Sequence, residues 1–152
     1  MTAPLLEAFG QSVTHIGDNG QGLLLKLAIN ISIAAQTLAF SEGLLLAERG
    51  GIDGQLAARV MSDSAIGSPM IKARVPLLLD LPEHAWFDVR LMRKDIRLAL
   101  DAGHDARVPL PSAAAADDIL GKACELGYAG RDIAALHEVL ARLAGAGALP
   151  GP

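Results

Sequence analysis

The chain has 152 residues, enough for one domain with a sizeable core; 51% of them are hydrophobic, yet only 3% are aromatic. A core of Leu, Ala, Ile and Val with so few aromatics favours packed helices over a β-sandwich. The net charge of −4 gives no electrostatic reason to expect nucleic acid as a partner. The single cysteine, Cys124, excludes an internal disulfide and a cysteine-based metal cluster.

The first 17 residues combine a short helical pattern with a short strand pattern. Residues 4–9 predict a short helix, and residues 12–16 alternate as a strand does. His15 lies in that stretch, and we expect it to be a surface residue. The N-terminus lacks a basic region followed by an apolar run, so no secretory signal is visible and a cytoplasmic location is expected.

Residues 19–49 contain no proline and predict one long helix that is apolar almost all round. Such a helix should be buried on most of its faces. Five polar or charged side chains share one face at helical spacing, namely Lys26, Asn30, Thr37, Ser41 and Glu48. Because a buried polar group costs roughly 2 kcal/mol or more unless it is paired, this stripe needs an explanation.

The same stretch raises the question of a membrane span. Residues 23–40 are mostly apolar, but they also carry Lys26, Asn30 and Gln36. A span is expected to hold about 20 predominantly apolar residues. We therefore expect no membrane partner.

A glycine-rich turn precedes the first polar residue of the stripe. Gly20 and Gly22 allow the backbone to approach a ligand, and the free N–H groups of the helix start would face an anion. For Lys26 and Asn30 two interpretations compete. In the first, Lys26 extends to solvent and Asn30 caps a neighbouring loop. In the second, Lys26 transfers protons with its pKa lowered by burial, and Asn30 holds the substrate. Spacing alone favours the first.

Five later segments also predict helices. Residues 81–88, between the second and third of these, are expected to form an ordered loop that holds two of the five aromatic residues, Trp86 and Phe87. Capping and proline signals place the helices at residues 54–62, 69–79, 90–102, 112–126 and 132–144, with Pro76 expected to end or kink the second of them.

The motif Gly17-x-x-Gly20-x-Gly22-x-x-x-Lys26-x-x-x-Asn30 resembles the start of the second domain of the β-hydroxyacid dehydrogenases, whose best-known members are the 3-hydroxyisobutyrate dehydrogenases. The likeness covers essentially the whole chain. Two departures are clear: the family usually has two asparagines where this chain has Ile29-Asn30, and the family's first domain with its dinucleotide-binding turn is missing. The further matching segments are Phe87 to Ala99 with its Lys94-Asp95 pair, Pro109-Leu110-Pro111 and residues 127–136.

The resemblance implies an all-α fold of about six helices around one long central helix, as in the C-terminal domain of 6-phosphogluconate dehydrogenase-like enzymes. It divides the chain into a remnant of the nucleotide-binding domain at residues 1–17, a helical substrate and oligomerisation domain at 18–145, and a tail at 146–152. A homo-oligomer such as a dimer is expected, because a wholly apolar central helix needs more cover than five helices supply.

The resemblance also implies a function, the reversible oxidation of a small 3-hydroxyisobutyrate-like acid by NAD or NADP, bound mainly by the missing domain. Lys26 would accept and donate the proton. Asn30, Gly20 and Gly22 would bind the substrate, and Phe87 and Lys94 would face the cofactor. No metal is expected, and Asp95 would only fix its helix by hydrogen bonding. The isolated chain should be inactive.

Two alternatives remain open at the level of sequence. One is a non-catalytic helical module for oligomerisation or interaction. The other is an imine reductase-like domain, although those proteins usually lack the lysine, so Lys26 favours hydroxyacids. The identity of the acid and the choice between NAD and NADP stay open, because the residue that selects the 2′-phosphate lies in the missing domain.

Overall fold

The computed structural model describes residues 12–146, and this part of the chain is all-helical. The predicted all-α fold is therefore confirmed. The predicted helix at residues 4–9 lies outside the described residues. The α-helices are α1 (Gln21–Arg49), α2 (Gly54–Asp63), α3 (Pro69–Leu79), α4 (Val89–Ala106), α5 (Pro111–Glu125) and α6 (Leu136–Ala146), with a 3₁₀ helix at Ile133–Ala135.

Helix α1 is the centre of the fold and packs against each of the other five helices. Ala34 and Leu38, in its middle, belong to a core shared with α4, α5 and α6. Phe40 and Leu44, nearer its end, belong to a second core shared with α2 and α3. The chain thus wraps the middle and the C-terminal part of α1 with two groups of helices.

The N-terminal third of α1 is largely exposed, although the sequence predicted a helix buried on most of its faces. Leu23, Leu24, Leu25 and Ile29 are all exposed in the described part of the chain. Since only one face is covered there, the expectation that α1 is buried on most faces is wrong for this third.

By length and composition α1 could cross a membrane, with a mean hydropathy of 1.7 and 33% burial over its most apolar stretch. The core helix of a soluble protein passes the same test.

Two local predictions need correction. Residues 12–16 form no regular structure, because a strand needs a neighbouring strand for its backbone hydrogen bonds and the described residues supply none. Helix α4 runs a turn further than predicted, and Arg107, in the left-handed conformation with φ 56°, caps its end. Helix α3 ends at Leu79 as predicted and continues through Pro76, which lies in its last turn, where the missing N–H removes a single hydrogen bond.

Candidate functional site

Helices α1 and α4 bring three polar side chains together around one carboxylate. Asp95 Oδ2 accepts hydrogen bonds from Lys26 Nζ and, at 2.8 Å, from Asn30 Nδ2. On the other side, Lys94 Nζ lies 2.9 Å from Asp95 Oδ1. Three of the residues predicted from sequence, Lys26, Asn30 and Lys94, therefore meet, and Asp95 is the group that joins them.

Local helix geometry explains how each side chain reaches this point. Lys26 and Asn30 are four residues apart, which stacks them on one face of α1. Asp95 lies on the buried face of α4, among Met92, Ile96 and Ala99, which are all buried. The packing of α4 on α1 therefore carries the carboxylate into the helix interface, where an unpaired charge would be costly.

The two lysines decide the charge state of Asp95, which is only 2% exposed. Burial raises the pKa of the Asp95 carboxyl, but the hydrogen bonds and the positive charges of Lys26 and Lys94 outweigh burial and hold the pKa below its ordinary value of 3.8. Asp95 is therefore an anion at neutral pH.

Both lysines lie on the open side of the cluster. The side chain of Lys26 is 48% exposed and that of Lys94 is 57% exposed, whereas the side chain of Asp95 is 3% exposed. The expectation of a buried Lys26 is wrong for the described chain. An exposed ammonium anchored from behind can use its remaining N–H groups to bind a ligand's oxygen atom.

The two glycines lie one to two turns before Lys26, at the start of α1. Gly20 has φ 97°, a left-handed conformation that favours glycine, and no side chain caps the helix. A Cβ at Gly22 would meet only open space, so packing within the described residues gives no reason for glycine there. Both line an open depression of about 520 Å³ together with residues 14–19 and Leu23. The free N–H groups of the first turn lie at this depression.

Phe87 lies in the loop before α4, eight residues before Asp95 in the chain and two residues before the helix begins. Its side chain is half-buried against the core, whereas that of Trp86 is 68% exposed. Of the two aromatics, Phe87 packs on the core and Trp86 does not. The backbone N–H groups of both residues donate to Asp132 Oδ2, at 2.9 Å and 3.1 Å.

Sequence reasoning underrated two aspartates. Asp95 was expected only to fix its helix, and Asp132 only to begin the last helix, yet both are almost fully buried and each receives several donors. A signal existed for Asp95, because it occupies an apolar position in the helical pattern of Met92, Ile96 and Ala99. For Asp132 the capping pattern predicted one local bond and could not reveal the others.

The rest of the stripe on α1 is paired with other groups of the described residues. Thr37 Oγ1 donates to the Ile33 carbonyl at 2.8 Å, and Ser41 Oγ donates to the Thr37 carbonyl at 2.8 Å. Glu48 Oε2 lies 3.1 Å from His137 Nε2. These groups hold the fold together and present nothing to a ligand.

The described residues offer several positively charged or N–H groups to an anion. Besides the exposed ammonium groups and the free helix start, Lys94 lines a second depression of about 380 Å³ with Arg90, Arg93 and Arg97. Arginine and lysine are the usual partners of phosphate groups. Residues 12–146 contain no strand–GxGxxG–helix unit for a pyrophosphate, and no group of three His, Cys, Asp or Glu that could hold a metal ion.

An all-helical domain built around one long central helix is the fold of the C-terminal domain of the 3-hydroxyisobutyrate dehydrogenase-like enzymes. The chain belongs to the 3-hydroxyisobutyrate dehydrogenase family: the family model described as "NAD-binding of NADP-dependent 3-hydroxyisobutyrate dehydrogenase" matches residues 20–140. This match supports the expected use of NAD or NADP.

Individual relatives agree with this assignment. Glyoxylate/succinic semialdehyde reductase 2 of Arabidopsis thaliana is 31% identical over 91% of this chain and 38% of its own length. The 2-hydroxy-3-oxopropionate reductase of Escherichia coli is 27% identical over 93% of the chain and 48% of its own length. The crystal structure of a 3-hydroxyisobutyrate dehydrogenase from Salmonella typhimurium superposes with a TM-score of 0.83 at 27% identity, over 91% of this chain and 49% of that one. The chain thus spans half or less of the length of these relatives.

Proposed function

We propose that this chain is the substrate half of an NAD(P)-dependent oxidoreductase that interconverts a small β-hydroxyacid and its carbonyl form. The observation that carries the proposal is the meeting of Lys26 and Asn30 with the buried carboxylate of Asp95. Bound NAD(P) would supply or accept the hydride at the carbinol carbon. The nucleotide itself would be held mainly by a dinucleotide-binding half like that of the longer relatives.

Lys26 is proposed to move the proton of the reaction. As an ammonium anchored by Asp95, it donates a proton to the carbonyl oxygen while that oxygen becomes a hydroxyl, and the neutral amine takes the proton back in the reverse direction. One N–H of the ammonium is held by Asp95, which leaves two for the substrate oxygen. Asp95 thus anchors the amine of Lys26 where the substrate oxygen would bind.

Asn30 is proposed to orient the substrate. Its Nδ2 donates to Asp95, so its Oδ1 remains to accept a hydrogen bond from a substrate hydroxyl. Lys94 and the free helix start beside Gly20 and Gly22 would attract the negative charges of substrate and cofactor. The site thus has separate groups for holding the reacting oxygen and for attracting anions.

The relatives' names suggest the substrate class. They mention glyoxylate, succinic semialdehyde, 2-hydroxy-3-oxopropionate and 3-hydroxyisobutyrate, which are small acids with a carbonyl or hydroxyl group. We propose the same class here, with the particular acid and the choice of NAD or NADP set by the dinucleotide-binding half. A cytoplasmic location stays a prediction.

The decisive experiment is steady-state kinetics on a full-length enzyme in which this chain follows a dinucleotide-binding half of the family. Lys26→Ala should lower kcat by about 10²–10⁴-fold, the usual contribution of a positioned proton-transfer group. Lys26→Arg should not restore activity, because the guanidinium keeps its proton.

The control is Lys72→Ala, which removes an exposed lysine from α3, away from the carboxylate. It should leave kcat unchanged, with melting temperatures measured for all variants. A kcat near that of the wild type for Lys26→Ala would contradict the proposal and favour a non-catalytic helical module.

We also propose that the chain self-associates through the open start of α1. The exposed leucines there form an apolar surface next to an apolar groove of about 220 Å³ that Leu24, Leu27 and Val108 help to line. Sedimentation should show a species larger than the monomer at micromolar concentration. Leu24→Glu should weaken association, whereas Leu46→Glu, an exposed leucine near the other end of α1, should not. A clean wild-type monomer would contradict this part of the proposal.

A further inference from the structure

The carboxylate of Asp132 divides its hydrogen bonds between two parts of the fold. It is 0% exposed, and each of its oxygens accepts two hydrogen bonds. Oδ1 receives Arg74 Nη1 of α3 at 2.6 Å and the backbone N–H of Ala134 at 3.0 Å. Oδ2 receives the backbone N–H groups of Trp86 at 2.9 Å and Phe87 at 3.1 Å. One oxygen therefore binds α3 and the 3₁₀ helix, and the other binds the loop before α4.

Backbone hydrogen bonds extend the attachment on the loop side. The Ile133 N–H donates to the Phe87 carbonyl at 3.1 Å, and the Val89 N–H donates to the Arg131 carbonyl at 2.9 Å. Asp88 and Asp132 form an isolated antiparallel bridge. The segment that carries Phe87 is thus held against residues 131–133 by main-chain bonds and by one carboxylate oxygen.

This attachment matters because the loop has no regular structure of its own. Residues 80–87 lie outside any helix, and Trp86 and Phe87 have opposite environments, one exposed and one half-buried against the core. The bonds from Oδ2 to both backbone N–H groups hold the arrangement in which Phe87 faces the core.

We propose that Asp132 is a positioning residue for the reaction site, acting through Phe87. The inference rests on the proposed function together with the family resemblance, which implies that Phe87 faces the cofactor. A misplacement of a supporting group by about 1 Å can cost up to 10²-fold in rate, so the loop must be held as firmly as the reacting groups are. Asp132 holds the loop from the last part of the domain, 45 residues after Phe87 in the chain.

The two oxygens allow the positioning role to be separated from a structural one. In Asp132→Asn the side chain keeps a single oxygen. This oxygen should stay hydrogen-bonded to the Arg74 guanidinium, because charge-assisted hydrogen bonds are the stronger ones. The amide NH₂ would then face the two N–H groups of Trp86 and Phe87 and release the loop. Arg74→Met is the matched control, since it breaks a bond on the Oδ1 side and leaves both bonds on the Oδ2 side.

The test compares cofactor KM, kcat and melting temperature for these variants in the full-length enzyme described above. Asp132→Asn should raise the cofactor KM or lower kcat by about 10- to 10²-fold in total. Arg74→Met should lower the melting temperature and leave KM and kcat within about twofold. Trp86 is the only tryptophan, so its fluorescence should shift in Asp132→Asn and stay unchanged in Arg74→Met.

A double-mutant cycle with Phe87→Leu completes the test, because an effect of Asp132 that passes through Phe87 must be non-additive with it. If Asp132→Asn does not fold, Asp132→Glu, which keeps the charge for Arg74 but displaces Oδ2, serves in its place. Equal losses of stability in both variants without a kinetic change would overturn the inference, as would strict additivity. Failure of the proposed function itself would show differently, as an unchanged kcat in Lys26→Ala.

Discussion

The two halves of the polar stripe on α1 use polar side chains in opposite ways. Lys26 and Asn30, near the start of the helix, bind a carboxylate 65 or more residues away on α4. Thr37 and Ser41, further along the same face, are fully buried and donate to carbonyls four residues earlier in their own helix. The comparison teaches that a polar position in an apolar helix indicates a site only when its bond leaves the helix.

The difference follows from the length of the side chains and from how far the other helices cover each part of α1. A hydroxyl on a short side chain can bond the preceding turn, which satisfies it inside a dry core. The longer amine and amide reach past the helix backbone to a neighbouring element. The cores close around the second half of α1, whereas its first third stays open. The open end is therefore where polar groups can meet a ligand.

The largest effect in this comparison should come from Asp95, which both residues of the first half bind. Asp95→Asn should reduce kcat by at least about tenfold, because Lys26 loses the anion that anchors it, and should destabilise the fold by about 1–3 kcal/mol. The loss of stability should depend on pH. Since the folded pKa of Asp95 is below 3.8, its stabilisation is present above about pH 4 and is lost as pH falls through the folded value.

Urea unfolding of this chain and of Asp95→Asn at pH 6, 4 and 3 checks the stability part. The difference in unfolding free energy should be largest at pH 6 and shrink toward pH 3. A difference that grows on acidification would mean that the two lysines do not stabilise the anion.

A smaller effect is expected for Asn30→Ala. Because Asn30 is proposed to orient the substrate, the variant should raise the substrate KM with a lesser loss of kcat. Ser32→Ala, an exposed position two residues along α1, is the control and should change neither. If Asn30→Ala altered only the melting temperature, the amide would have the capping role that spacing alone favours.

The smallest effects should come from the second half of the stripe. Thr37→Val and Ser41→Ala each remove a hydroxyl together with its bond to the helix backbone, so unfolding should change by less than about 1.5 kcal/mol. Kinetic constants should remain within about twofold of wild type. A kinetic loss comparable with that of Asn30→Ala would erase the distinction between the two halves.

Local features of the fold were predictable from the sequence because their causes lie within one helical turn. The uninterrupted run of residues 19–49 predicted α1 to within two residues at its start and correctly at its end. The capping signals that placed two later helices come from Asp53 and Ser68, whose side chains accept from the N–H groups of Leu56 at 2.9 Å and Ile71 at 3.2 Å. The end of α4 was missed, because Arg107 adopts a conformation that the sequence pattern does not favour there.

The sequence by itself determined the length of α1, the one-turn spacing of Lys26 and Asn30, and the glycine-rich start before them, since each depends on residues close in the chain. Only the tertiary structure decided that Asp95 holds both side chains, that Lys26 is half exposed, and that Asp132 shares its carboxylate between α3 and the loop of Phe87. The physical reason is that a buried carboxylate takes its partners from whichever elements pack against it, and the choice of those elements is a property of the whole fold.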